Sequence, residues 1–242
     1  MCDVCDRSCR NLSRRGILAG AGALFAGSMF HIPRGLADQK VSDTAPNAIA
    51  PAAALKRLMD GNARYAANAQ EQKDFSAGRA ARVSAQFPIA AILGCSDSRV
   101  APELTFDQGP GDLFVVRLAG NFVDDDGLAS LEYAVKFLGV PLIMVLGHTN
   151  CGAVGAAVEV VTARTELPGH LPELIEAIKP AVIAAHGRHP SDLVAASIEE
   201  NVRLNVKRLK VDEPILSEAM AAGKINVVGG VYDLATGKVG LL

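Results

Sequence analysis

Residues 89–93 and 142–146 are unbroken apolar runs of strand length, and residues 113–118 form a third that is interrupted only by Arg117. A strand with no polar face must be covered on both sides, which is the situation of strands inside a parallel sheet layered by helices. Phe114, Val115 and Val116 add β preference to one of these runs. Between the second and third runs, Leu128, Leu131, Val135 and Leu138 recur at helical spacing, and Gly139 stands where that helix should stop. Strand, helix, strand implies parallel pairing through right-handed crossovers. The reading is therefore α/β: a mainly parallel β-sheet flanked by helices.

The remaining elements fit that frame. Residues 52–68 form an amphipathic N-terminal helical arm with Leu55, Leu58, Met59 and Asn62 on one face. Gly61 weakens this helix by roughly 1 kcal/mol relative to Ala. Residues 152–161 are small and apolar and read as a helix, residues 168–172 as a loop, and a helix resumes from Glu173. Ile198, Val202, Val206 and Leu209 mark a further helix. Residues 225–232 and 238–242 read as a strand pair turning at Ala235-Thr236-Gly237 and extending the sheet. A body of this size, with half of the 242 residues hydrophobic, can bury one sizeable core. The formal charge of −2 offers nothing to a polyanion, so no nucleic-acid partner is expected.

The first 37 residues obey other rules. Ser13-Arg14-Arg15-Gly16-Ile17-Leu18 sets two arginines ahead of a mildly apolar run at 17–30, too short for the span of about 20 residues that a bilayer needs. Gly35-Leu36-Ala37 then suits a signal peptidase cutting before Asp38. This is the pattern of a twin-arginine export signal, and it predicts a periplasmic or secreted product with no stable membrane span after processing. An uncleaved membrane anchor is the other reading. Removal takes five Arg and two Asp, moving the formal charge from −2 to −5. Cys2, Cys5 and Cys9 lie in this leader; their spacing could bind a metal, but cleavage would discard them. The twin-arginine route carries folded proteins, which would let thiolates be metallated before they meet an oxidising compartment. Residues 38–51 have no apolar period and read as a linker, leaving residues 52–242 as a single domain.

Beyond the leader two cysteines remain. Cys95 follows the apolar strand at 89–93, and His148-Thr149-Asn150-Cys151 follows the one at 142–146. In open α/β sheets ligands gather at the carboxyl ends of strands. Cys95, His148 and Cys151 together make a three-ligand zinc site whose unfilled tetrahedral position marks catalytic rather than structural zinc. Taken singly, each could be a structural residue, and a Cys95 to Cys151 disulfide is a further alternative. Asp97 and Arg99 share the loop of Cys95; their spacing allows a forked pair that fixes the carboxylate's direction, so that it can accept a hydrogen bond from a metal-bound hydroxide.

Cys95-x-Asp97-x-Arg99 followed by His148-x-x-Cys151 resembles the β-class carbonic anhydrases. The likeness continues through Gly111-Asp112-Leu113-Phe114-Val115-Val116-Arg117, Gly120-Asn121, Glu132-Tyr133-Ala134-Val135 and Val228-Gly229-Gly230-Val231-Tyr232-Asp233. It implies one zinc per subunit held by Cys95, His148 and Cys151, a catalytic Asp97 and Arg99 dyad, and a homodimer or homotetramer. It also implies an N-terminal helix that packs on the neighbouring subunit. Within the family it is similar to plant-like members: Gln86 stands nine residues before Cys95, and Phe114 occupies a position that lines the neighbouring subunit's site. Gln86, Phe114 and Gly152 are the substrate-binding candidates. Ile92 replaces the tryptophan of members with a non-catalytic bicarbonate site, which is expected to be absent. Leu118 and Asp124 to Asp126 depart from the family pattern in the outer pocket.

The implied activity is reversible hydration of CO2 to bicarbonate and a proton. Zinc lowers the pKa of bound water from 15.7 to about 7, so hydroxide is available to attack carbon. His170, His186 and His189 are candidate proton relays, though surface residues on the simpler reading. Carbon disulfide or carbonyl sulfide hydrolysis uses the same ligand set in relatives, and a zinc-stabilised binding module without activity is the third reading.

Overall fold

The computed structural model describes residues 45–242. The export-signal reading, Cys2, Cys5, Cys9 and the first part of the linker lie outside the described residues. In chain order the elements are α1 (Pro51–Ala66), α2 (Arg79–Ser84), β1 (Ala90–Gly94), α3 (Pro102–Thr105), β2 (Leu113–Arg117), α4 (Asp125–Leu138), β3 (Leu142–His148), α5 (Gly152–Ala163), α6 (Leu171–His186), α7 (Leu193–Val211), α8 (Ile215–Ala221), β4 (Asn226–Tyr232) and β5 (Val239–Leu241). Among them no helix is long and apolar enough to cross a membrane.

The sheet order is β2-β1-β3-β4-β5, parallel throughout except for β5, which runs antiparallel to β4. β1 and β3 are buried along their whole lengths, which is why they read as unbroken apolar runs. Successive residues point to opposite faces. Ala91, Leu93, Ile143, Val145 and Val227 meet Leu131, Val202, Leu209 and Leu216 from α4, α7 and α8. Ala90, Ile92, Leu142, Met144 and Leu146 meet Leu58 of α1 and Phe106. The chain leaves β1 for β2 on one side and then crosses to β3 on the other, so the sheet order reverses at β1. The crevice between the carboxyl ends of β1 and β3, where Gly94 pairs with Leu146, is thus the topological switch point.

Several boundaries have local causes. Asp124 caps α4 by accepting from the Gly127 N–H at 2.7 Å, and Gly139 closes it in the left-handed region at φ 67°. The acidic residues at 124–126 therefore suit a helix N-terminus. α6 begins at Leu171, earlier than its apolar pattern suggested, because Pro172 fits the first helical turn, where its missing N–H costs nothing. α2, α3 and α8 are too short to announce themselves by periodicity.

Two findings revise the amino-terminal reading. Gly61 is a packing requirement: a Cβ there would lie 1.8 Å from the Phe106 carbonyl oxygen. Asn47, from the stretch read as a linker, is fully buried and donates to the Pro88 and Leu138 carbonyls at 3.0 and 2.8 Å. The chain has therefore joined the domain before α1 begins.

Candidate metal centre

β1 ends at Gly94 and places Cys95 at the crevice; β3 ends on His148 itself. Beyond His148 the Thr149 N–H donates to the Tyr232 carbonyl at 2.9 Å, and Thr149 Oγ1 accepts from the Leu234 N–H at 3.0 Å. Asn150 then adopts φ 54°, which turns the chain so that Cys151 becomes the residue capping α5. Strand end, pinned turn and helix start bring the Cys95 and Cys151 sulfurs and a His148 ring nitrogen within 4.8 Å of one another. All three residues are buried, and both cysteines are free thiols.

The donor set fits zinc. His148 Nδ1 is engaged by the Thr149 carbonyl at 2.9 Å, which fixes the ring and leaves Nε2 to face the cluster. Nε2 is buried and has no hydrogen-bond partner, a costly arrangement unless it serves as a ligand. Two thiols and one imidazole suit a borderline-soft ion and leave a fourth tetrahedral position. The neighbouring Cys151 thiol holds Cys95 well below the ordinary thiol range against the opposing effect of burial, helped by His148 and by the N–H groups of Gly120 and Asp97. The same contact and burial push Cys151 up. For His148, burial works against the charged form, yet the proximity of Cys95 and the Thr149 carbonyl leaves its pKa raised.

Asp97 and Arg99 stand at the rim. Arg99 Nε and Nη2 donate to Asp97 Oδ1 and Oδ2 at 2.9 and 2.7 Å, and the Arg99 backbone N–H adds a third bond to Oδ1 at 2.9 Å. The Arg99 fork holds the Asp97 carboxyl far below the usual carboxylate range. Asp97 Oδ2 is 3.8 Å from His148 Nε2, so an ionised, oriented carboxylate faces the place where the ligand atoms converge.

The structure thus brings together Cys95, Asp97, Arg99, His148, Cys151 and Gly152, the first residue of α5, beside which a side chain would meet open space. Gln86 and Phe114 stand elsewhere in the same chain. Gln86 is exposed in the segment entering the amino end of β1, whereas Cys95 follows its carboxyl end. Phe114, opposite Ala91, packs towards α4 with its ring 6.4 Å from that of Tyr133. His170, His186 and His189 are exposed.

Arg117 went unassigned in the sequence, although a charge closing an apolar strand was the signal. It donates to the backbone carbonyls of Cys95 at 2.9 Å, Asp97 at 2.7 Å and Val100 at 2.9 Å, bracing the loop that carries ligand and dyad. Asn201 and Asn205 were also missed. They are buried polar residues four apart within the apolar stripe of α7. Asn201 Nδ2 donates to the Gly120 carbonyl at 2.7 Å, and Asn205 Oδ1 accepts from the Val123 N–H at 2.8 Å.

Residues 90–239 match the carbonic anhydrase family profile. The chain is 41% identical over 189 residues to carbonic anhydrase 2 of Mycobacterium tuberculosis, covering 78% of this chain and 91% of that protein. It is 40% identical over 193 residues to the carbonic anhydrase of Mycolicibacterium smegmatis, covering 79% and 93%. Among solved structures, the Coccomyxa β-carbonic anhydrase in complex with acetazolamide superposes with a TM-score of 0.62 at 31% identity, over 78% of this chain and 86% of that one. A tetrameric β-carbonic anhydrase of Sordaria macrospora gives 0.63 at 27% identity, over 69% and 87%. With its switch-point Cys, His and Cys cluster, its parallel sheet and these relatives, the chain belongs to the carbonic anhydrase family and is an enzyme of the β-class fold.

Proposed function

We propose that the protein catalyses the reversible hydration of CO2 to bicarbonate and a proton, with Cys95, His148 and Cys151 holding one zinc ion. The observation that carries this reading is the ionised Asp97 carboxylate, fixed by Arg99 and 3.8 Å from an otherwise unpartnered His148 Nε2. When bound, zinc supplies a Lewis acid that brings the pKa of coordinated water near neutrality. Asp97 accepts a hydrogen bond from the nucleophile and so sets the direction of its lone pair. Arg99 keeps Asp97 ionised and away from the ligand atoms. Arg117 holds the loop carbonyls, so that Cys95 and Asp97 move as one unit. Gly152 leaves the mouth of the site open.

Gln86 and Phe114 act in this scheme across a subunit boundary. Within one chain they sit towards the amino ends of β1 and β2, so they serve catalysis in a homodimer or homotetramer where they reach a neighbouring centre. The tetrameric state of the Sordaria macrospora relative supports such an assembly. The twin arginines of the leader support a periplasmic or secreted location.

The test is stopped-flow CO2 hydration by protein of measured zinc content, run beside carbonyl sulfide and carbon disulfide hydrolysis. X-ray absorption should show two sulfur ligands and one nitrogen ligand. Zinc-loaded protein that leaves CO2 hydration at the uncatalysed rate, or a metal bound only by oxygen and nitrogen, would overturn the proposal.

A further inference from the structure

The buried polar residues of α7 are used by nothing in the scheme above, yet they lead directly to a metal-binding sulfur. The Gly120 N–H donates to Cys95 Sγ at 3.2 Å. The carbonyl of the same residue accepts from Asn201 Nδ2 at 2.7 Å, so Gly120 is gripped on both sides. Asn201 is itself held. Asn205 Nδ2 donates to its backbone carbonyl at 2.8 Å and to its Oδ1 at 3.2 Å, which leaves the Asn201 amide nitrogen to face Gly120. Asn205 Oδ1 takes the Val123 N–H, and Arg208 Nη1 donates to the Val123 carbonyl at 2.5 Å.

The grip has a physical purpose. Gly120 adopts φ +86°, and a Cβ there would lie 2.5 Å from Ile178 Cδ1, so only glycine lets the backbone come this close. A peptide in that conformation stays aimed at the sulfur only if its carbonyl is tied down. Asn201 is 1% exposed, and a buried amide kept within an apolar helix face must be fully paired to be tolerated. An N–H aimed at a thiolate withdraws charge from it and fixes its orientation, as partners behind a ligand do for metals generally.

We propose that Asn201 is a positioning residue for the metal-binding sulfur of Cys95, acting through the Gly120 N–H. The inference rests on the reading of Cys95, His148 and Cys151 as metal ligands, and its test separates the two. Isotope-labelled protein is loaded with an NMR-active cadmium isotope in place of zinc. The cadmium resonance first reports whether sulfur is bound. A scalar coupling from cadmium through Cys95 Sγ to the Gly120 amide proton then reports the hydrogen bond itself. The coupling is expected in the wild type and is lost in Asn201→Ala, with kcat/KM of the zinc form lowered about tenfold. If Asn201→Ala does not fold, Asn201→Asp, which keeps the shape and the acceptor for Asn205 but loses the donor, is read in the same way. Cadmium that binds without sulfur sinks the ligand assignment and this inference with it. Sulfur-bound cadmium with no coupling to Gly120, or a coupling undiminished in the variants, overturns the role of Asn201 alone.

Discussion

Arg99 spans the two halves of the site by its contact with Asp97: one guanidinium nitrogen, Nη2, donates to Asp97 Oδ2 at 2.7 Å and to the Asn150 carbonyl at 3.2 Å. Asp97 belongs to the loop after β1 and Asn150 to the turn after β3, so this side chain ties the Cys95 loop to the turn between His148 and Cys151. A planar fork is needed to make both contacts while also serving Oδ1 through Nε.

Arg99→Lys should therefore keep the metal and lose most activity, because lysine retains the charge without the fork. Loss of a few kcal/mol of transition-state stabilisation lowers kcat/KM about a hundredfold. The pH dependence of Asp97 follows with its sign. Its folded pKa lies below the ordinary carboxyl value of 3.8, so its contribution to stability is complete above that value and is lost as pH falls through the lower folded one. An NMR titration should find the Asp97 carboxyl still ionised at the ordinary value in the wild type and protonating closer to it in Arg99→Lys. Wild-type CO2 hydration by the variant would reduce the pair to an ordinary salt bridge.

Asp107 should be the strongest ionic contributor to stability at the amino-terminal arm. Its side chain is 3% exposed and pairs with Arg64 at 2.6 Å and with Lys73, while the Glu71 N–H donates to it at 3.2 Å. Burial opposes its charge, but the bonds from Lys73 and Arg64 prevail and lower its pKa. Asp107→Asn leaves two cations facing a neutral amide and is expected to cost about 2 kcal/mol, less than for a fully buried pair because Arg64 and Lys73 are partly exposed. The linkage again runs downward in pH: the penalty is present at neutrality and narrows below the ordinary carboxyl value of 3.8, as the wild-type carboxylate takes up its own proton. Urea unfolding at two pH values reads both parts.

Gly61→Ala would raise intrinsic helix propensity in α1 and yet should destabilise the protein. The added methyl meets backbone rather than a movable side chain, 1.8 Å from the Phe106 oxygen, so α1 must lift from the turn after α3. A loss of about 2 kcal/mol or more is expected, in the range of an overpacked core. Thermal unfolding of the variant measures it, and an increase in Tm would contradict the packing argument.

Export is tested at the other end of the chain. Replacing Arg14 and Arg15 together by lysine should retain the precursor inside the cell, since the charge survives but the paired-arginine signal does not. Cell fractionation with zinc analysis of the exported fraction is the measurement. Undiminished export of the double variant would rule out this route.

Sequence alone determined the strands of the sheet and the candidate ligand residues. β1 and β3 were legible because a strand buried on both faces has no room for polar residues, and the metal-binding candidates because thiol and imidazole carry their chemistry in the side chain wherever they fall. The placement of both sets beyond strand ends even made their meeting predictable from the topology of a parallel sheet. Tertiary structure decided everything that depends on a partner distant along the chain. Gly61 looks like a flaw in a helix until the Phe106 carbonyl is set against it. Arg117 is one more cation until its guanidinium closes on the carbonyls of residues 95, 97 and 100. Asn201 and Asn205 look like imperfections in an apolar stripe until Gly120 and Val123, more than eighty residues earlier, arrive to be held. Apolar burial and ligand chemistry are properties of a residue type and its spacing, whereas a close contact or a hydrogen bond belongs to two residues at once and exists only after the chain has brought them together.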